Sequence, residues 1–134
     1  MAHLFHERSV LMVSINNDKG SISITMDVFR NLAGDAATKC FGVKGMAGRS
    51  KDGGPLQLLR RESMSKGVDV AINDDDSLSL DLHIGVDYDV NIVAVCRSIM
   101  NEVSYKVEKW TSMKVKNVDV YVDTVIVDKE KKEK

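Results

Sequence analysis

The chain has 134 residues, 43% of them hydrophobic and 29% charged, with a formal net charge of −1. That length is the size of one domain with one core, and the composition excludes an intrinsically disordered chain. The longest apolar runs, Val10 to Val13 and Ile92 to Cys96, fall far short of the ~20 apolar residues a membrane-crossing helix needs.

The amino terminus, Met1 to Arg8, lacks a basic cluster and an apolar stretch leading to a small-residue cleavage site, which predicts a cytoplasmic chain. The near-neutral total hides a division. Residues 1–66 hold ten Lys/Arg and six Asp/Glu, a balance of +4; residues 67–128 hold five and twelve, a balance of −7; residues 129–134 add +2. Such polarity bears on partners rather than on fold.

Ser9 to Asn16 alternates as a strand with two candidate faces, through Val10 and Met12 or through Leu11, Val13 and Ile15. Asn16 to Gly20 supplies turn chemistry and Ser21 to Thr25 alternates again, so a hairpin and a simple leading strand both fit. His3 and His6 fall in a loose end before it. Thr25 or Asp27 caps a helix over 27–39, on which Phe29, Leu32, Ala33, Ala36, Ala37 and Cys40 share the apolar stripe. Gly34 within that helix points to close approach by another segment.

Residues 41–55 are dense in glycine and basic groups. A phosphate loop of the common nucleotide-binding kind ends in Gly-Lys-Ser/Thr at a helix start, whereas Gly48 is followed by Arg49 and Ser50. Gly42-Val43-Lys44-Gly45 matches the spacing of an RNA-clamping loop, yet a lone motif of this kind is weak. Turns and a short strand are the expectation here, then a short helix from Leu56 to Glu62 opened by Pro55, with Leu56 and Leu59 inward.

Beyond Gly67 the pattern is clearer. Val68, Val70 and Ile72, then Leu78, Leu80, Leu82, Ile84 and Val86, predict two antiparallel strands around Asn73 to Asp76, sharing an apolar face. Val118, Val120, Val122 and Ile126 continue that stripe on the last strand, leaving Asp119, Tyr121 and Asp123 beside Asp69, Ser79, Asp81 and His83 on the opposite side. If these strands are neighbours, they present one open acidic face. Asn91 caps a long helix whose stripe runs through Ile92, Val95, Cys96, Ile99, Val103, Val107 and Trp110, with Trp110 packed in core or interface.

The fold class is therefore α+β: a small, mostly antiparallel sheet with two main helices packed on one face, plus a short extra helix. Cys40 and Cys96 lack ligand spacing and read as reduced packing residues. No nucleophile, metal cage or cofactor cradle is spaced along the chain, so catalytic, cofactor-binding and metal residues are none. The candidate interaction surface comprises Lys44, Arg49, Lys51, Arg60, Arg61, Asp69, Asp81, Asp119 and Asp123.

Several motifs in register resemble one known family. They are Gly20-Ser-Ile-Ser-Ile, Leu32-Ala33-Gly34, Gly42-Val43-Lys44-Gly45-Met46, Ser65-Lys66-Gly67-Val68, Leu80-Asp81-Leu82-His83-Ile84, Val107-Glu108-Lys109-Trp110-Thr111 and Val115-Lys116-Asn117-Val118-Asp119-Val120. Covering about residues 20–127, they resemble the alkaline shock protein family of Gram-positive bacteria. Two positions depart: Ser112 stands where glycine is usual, and Asp123-Thr124 precedes Val125 where a glycine is common. The resemblance implies a non-enzymatic protein of envelope stress and homeostasis, without cofactors. It also implies protein partners, a membrane-anchored one among them, a place at the inner face of the membrane, and self-association in some members. On this reading residues 1–19 are a leading segment or first strand, 20–128 a single family-like domain and 129–134 a disordered charged tail. The rivals are an RNA- or anionic-lipid-binding module using the basic 44–66 region and a regulatory partner of a lipid-phosphorylating kinase.

Overall fold

The computed structural model describes residues 2–7, 10–48, 57–59 and 61–127. Three antiparallel strands lead, in the order β1 (Ala2–Glu7), β2 (Val10–Asn17) and β3 (Gly20–Thr25). The expected loose end before Arg8 is instead β1, its backbone paired with β2 from Ala2 opposite Ile15 to Glu7 opposite Val10. Edge pairing of this kind satisfies backbone groups that an isolated segment leaves to water. Asn17 and Gly20 close the β2–β3 hairpin, where the Lys19 amide donates to Asn17 Oδ1 at 2.8 Å. Val13 is buried and Ile15 packs against the core, which selects the second of the two candidate faces.

Helix α1 (Met26–Thr38) starts at Thr25 as expected, although the Thr25 hydroxyl makes no capping hydrogen bond. Met26, Phe29, Ala33, Ala36 and Ala37 are buried. A Cβ on Gly34 would stand 3.4 Å from Met64 Cγ, so the approaching segment is the 3-10 helix Arg61–Gly67. Cys40 lies beyond the end of α1 rather than on its stripe, half-buried, its thiol donating to the Ala36 carbonyl at 3.5 Å.

Gly42 has φ of 87°, and a Cβ there would meet Val95 Cγ2 at 2.9 Å. This glycine turns the chain into β4 (Val43–Gly48), where Gly45 is already paired with Gly85. The helix expected over 56–62 is corrected: Gln57–Leu58 forms the two-residue strand β5 against β4, the Leu59 amide donates to the Met46 carbonyl at 2.7 Å, and helical turns begin at Arg61. Sheet hydrogen bonds with β4 outcompete the local helix signal there. Leu59 packs inward as expected, while Leu56 lies outside the described residues.

Strand β7 (Leu78–Asp87) organises the larger sheet. On one edge it pairs antiparallel with β6 (Val68–Ile72) along Leu78 to Leu82 and with β4 near Ile84 to Val86. On the other it runs parallel to β8 (Val115–Ile126). Helix α2 (Ile92–Thr111) makes the crossover that a parallel pair requires. Asn91 caps it, Oδ1 accepting from the Ala94 amide at 3.1 Å. The model thus has an α+β fold with a mostly antiparallel sheet. Helix α1 packs on β4 and β6 and α2 on β8, with Leu80, Leu82, Ile84 and Val86 fully buried beneath them. Among the described residues no helix is long and apolar enough to cross a membrane.

The α2 stripe is shorter than expected. Val95, Ile99, Val103 and Val107 are buried, but Ile92 is exposed and Trp110 is 71% exposed, turned to an open groove beside α1. The β8 stripe also slips: an irregularity between Val122 and Thr124 sets Val125 opposite Val86, leaving Ile126 opposite Asp87. One added residue inverts the alternation.

Ile99 has no accessible surface. An unpaired carboxylate there incurs a penalty comparable with the total stability of a domain, about 5–15 kcal/mol. Ile99→Asp should abolish the cooperative thermal transition seen by far-UV circular dichroism; a transition near the wild-type midpoint would refute this packing.

Ser112 closes α2 at φ 60°, a left-handed conformation. The left-handed cost of about 1–2 kcal/mol for an L-residue exceeds the entropy penalty of glycine, about 0.4–1 kcal/mol. Ser112→Gly should therefore raise stability by about 0.5–1 kcal/mol in urea titration, and a loss would contradict the sign.

Candidate interaction surface

The side of the sheet opposite the helices is built in rungs across β6, β7 and β8. Asp69 is paired with Asp81 and Asp81 with Asp119, so three carboxylates stand abreast on three neighbouring strands. Side chains directly opposite one another on a sheet lie ~5 Å apart, where like charges repel. Burial, then the carboxylates of Asp119 and Asp69, pushes the Asp81 carboxyl above its ordinary range, with His83 acting in the opposite sense.

The rung toward the β6–β7 turn carries Ser79 and Asn117. The Ser79 hydroxyl donates to Asn117 Oδ1 at 2.8 Å and accepts from Asn73 Nδ2 at 2.9 Å. At the turn itself, hydrogen bonds from the Ser77 hydroxyl and amide hold the Asp75 carboxyl below its ordinary range.

The rung on the other side of the aspartates carries His83 and Tyr121, paired in register with rings stacked at 4.8 Å between centroids and 13° between planes. His83 Nδ1 lies 2.8 Å from Asp123 Oδ2. Asp123 reaches it because the β8 irregularity falls at this point. Sequence reasoning left His83 solitary on its strand; its two partners lie about forty positions away in the chain, and only strand pairing brings them together.

The basic candidates are placed differently. Lys44 is exposed on β4, its Nζ 4.0 Å from Asp87 Oδ2. Arg61 begins the 3-10 helix whose last turn holds Lys66. Arg49, Lys51 and Arg60 lie outside the described residues.

On the helical side, Val28, Leu32, Met64 and Trp110 line an open groove of about 530 Å³, rimmed by Asp35, Lys39 and Lys106. Lys39 is paired with Asp35 at 2.9 Å and Lys106 with Glu102 at 3.9 Å. Burial raises the thiol pKa of both Cys40 and Cys96, which weakens their nucleophilicity at neutral pH. Among the described residues no three His, Cys, Asp or Glu side chains are arranged to hold a metal ion.

These features define a small α+β protein with one helix-covered sheet face and one open, acidic sheet face. The chain belongs to the alkaline shock protein 23 family, of cell envelope-related function, which it matches over residues 14–127. It is 32% identical over 119 residues to the uncharacterized protein YloU of Bacillus subtilis (strain 168), covering 87% of this chain and 98% of that relative. It is 35% identical over 118 residues to the uncharacterized protein Spy1614 of Streptococcus pyogenes serotype M6, covering 87% and 97%. No solved structure matches.

A raised carboxyl pKa means that the folded chain holds the Asp81 proton more tightly than the unfolded chain does. Ionised Asp81 therefore subtracts stability above its folded pKa, and that deficit fades as pH falls through the folded value toward the unfolded one, about 3.9. Asp81→Asn should raise the melting temperature at neutral pH slightly, solvent screening keeping the gain small, and the gain should shrink as the solution is acidified. Melts of both proteins between neutral pH and about pH 4 check this; no gain at neutral pH would remove the proposed repulsion.

Proposed function

We propose that this protein is a non-enzymatic adaptor or scaffold in cell-envelope stress response and homeostasis, holding cationic protein partners against its open sheet face. The observation that carries this reading is the rung of Asp69, Asp81 and Asp119, aligned on three adjacent strands. Three abreast carboxylates weaken the isolated fold, and lysine or arginine side chains laid across them remove that repulsion. The stacked His83 and Tyr121 extend the same face with a firm, partly aromatic surface, a composition suited to protein contact.

The partner is a protein with a basic surface, either a membrane-anchored one that places the chain at the inner face of the membrane or another copy. In the second case the basic Lys44 to Lys66 stretch of one copy meets the acidic face of the next. Such a contact is heterologous and propagates into rings or filaments.

Affinity co-purification from native cells, read by mass spectrometry, tests the reading. Wild-type protein should retain a partner set at low ionic strength. That set should be lost in Asp69→Asn/Asp81→Asn/Asp119→Asn and in about 0.5 M salt, where the screening length falls well below 10 Å. Recovery of the same partners by the triple variant at both salt concentrations would dismiss the acidic face as the docking surface.

A further inference from the structure

The long strand β8 ends the larger sheet on one side. Its inner edge is paired with β7 from Val115 to Ile126, and among the described residues no strand pairs with its outer edge. At 12 residues it is about twice the usual strand length. Unpaired amides and carbonyls along such an edge are a template for another strand. Natural edges are blunted by irregularities and charges; the irregularities of β8 lie near its ends, one between Val115 and Asn117 and the other between Val122 and Thr124, and Asp119 is the one charged residue on the stretch between them. The stretch between, Asn117 to Val122, pairs regularly with β7.

The helix above this edge carries exposed apolar side chains toward the same side. One row of α2 faces α1, since Lys106 and Trp110 share a groove with the α1 side chains Val28, Leu32 and Asp35. Helical spacing places Val93, Met100 and Ser104 on the opposite flank, toward and beyond β8. Val93 is 58% exposed and Met100 39% exposed, and the exposed Arg97 lies between them on the same flank.

We propose that two copies of this chain join through the outer edges of β8, antiparallel about a two-fold axis, with the α2 flanks closing over the seam. The occupant is a second copy because β8 is complementary to itself. A two-fold antiparallel pair must be centred on a residue, and three centres keep the contact on the regular stretch. Centring on Asp119 sets that carboxylate against its own copy, and centring on Tyr121 sets Asp119 against Asp123. Centring on Val120 sets Asp119 beside Tyr121 and the Asn117 amide beside the Asp123 carboxylate, with no like charges directly opposed. The register is therefore centred on Val120. This isologous seam is separate from the acidic face and stands whether or not that face binds a partner.

Sedimentation velocity of the full chain over a micromolar concentration series should show a species of twice the 14.9 kDa chain mass. Val93→Glu/Met100→Glu, both at exposed positions, should shift it to monomer while leaving the thermal transition in place. In a Cys40→Ala/Cys96→Ala background, mild oxidation of a mixture of Asp119→Cys and Tyr121→Cys chains should give the mixed disulfide dimer, and each chain alone should give little. A monomer at every concentration overturns the proposal. So does a dimer that persists in Val93→Glu/Met100→Glu, or one abolished by Asp69→Asn but not by those flank changes. Self-crosslinking of Asp119→Cys as efficient as the mixture overturns the register.

Discussion

Everything in this fold hangs on β7 being sheathed on three sides. Its backbone is hydrogen-bonded along both edges, to β4 and β6 on one and β8 on the other. The side chains of Leu80, Leu82, Ile84 and Val86 are meanwhile driven fully under the helices. Burying one such side chain is worth roughly 1.5–3 kcal/mol, and the four act together because one strand carries them. A strand so held cannot slide, and its register dictates where every neighbour's residues fall.

The polar face follows from the same constraint. Alternation along β7 sends Ser79, Asp81 and His83 outward between the buried positions, so the packing that fixes Leu80 and Leu82 also fixes Asp81 between Asp69 and Asp119. Electrostatic repulsion in that rung is a cost imposed by the core on the surface. The same rigidity holds the carboxylates of that face in fixed positions.

Much of this was legible in the residues. The strands around Asn73 to Asp76, the inward and outward sets of β6 and β7, and the Asn91 cap all follow from alternation and local hydrogen bonding, which act over a few residues. Even the two departures from the family pattern fall on backbone irregularities: Ser112 sits in the left-handed region, and Asp123-Thr124 marks the slip in β8. The misreadings lie where a distant segment competes. Gln57 and Leu58 join β4 instead of a helix, β1 forms because β2 offers an edge, and Trp110 turns to an open groove beside α1 instead of the core.

By itself the sequence determined the period of most segments, hence the α+β class, the side of β6 and β7 that turns inward and the existence of an acidic set. Those properties come from backbone sterics and the spacing of apolar side chains, and need no knowledge of neighbours. Only the tertiary structure decided that the aspartates stand abreast, that His83 stacks on Tyr121 and reaches Asp123, and that β8 runs parallel to β7 with one edge open. Strand order and register are set by contacts between residues far apart in the chain, and no local pattern encodes which strand a given strand will meet.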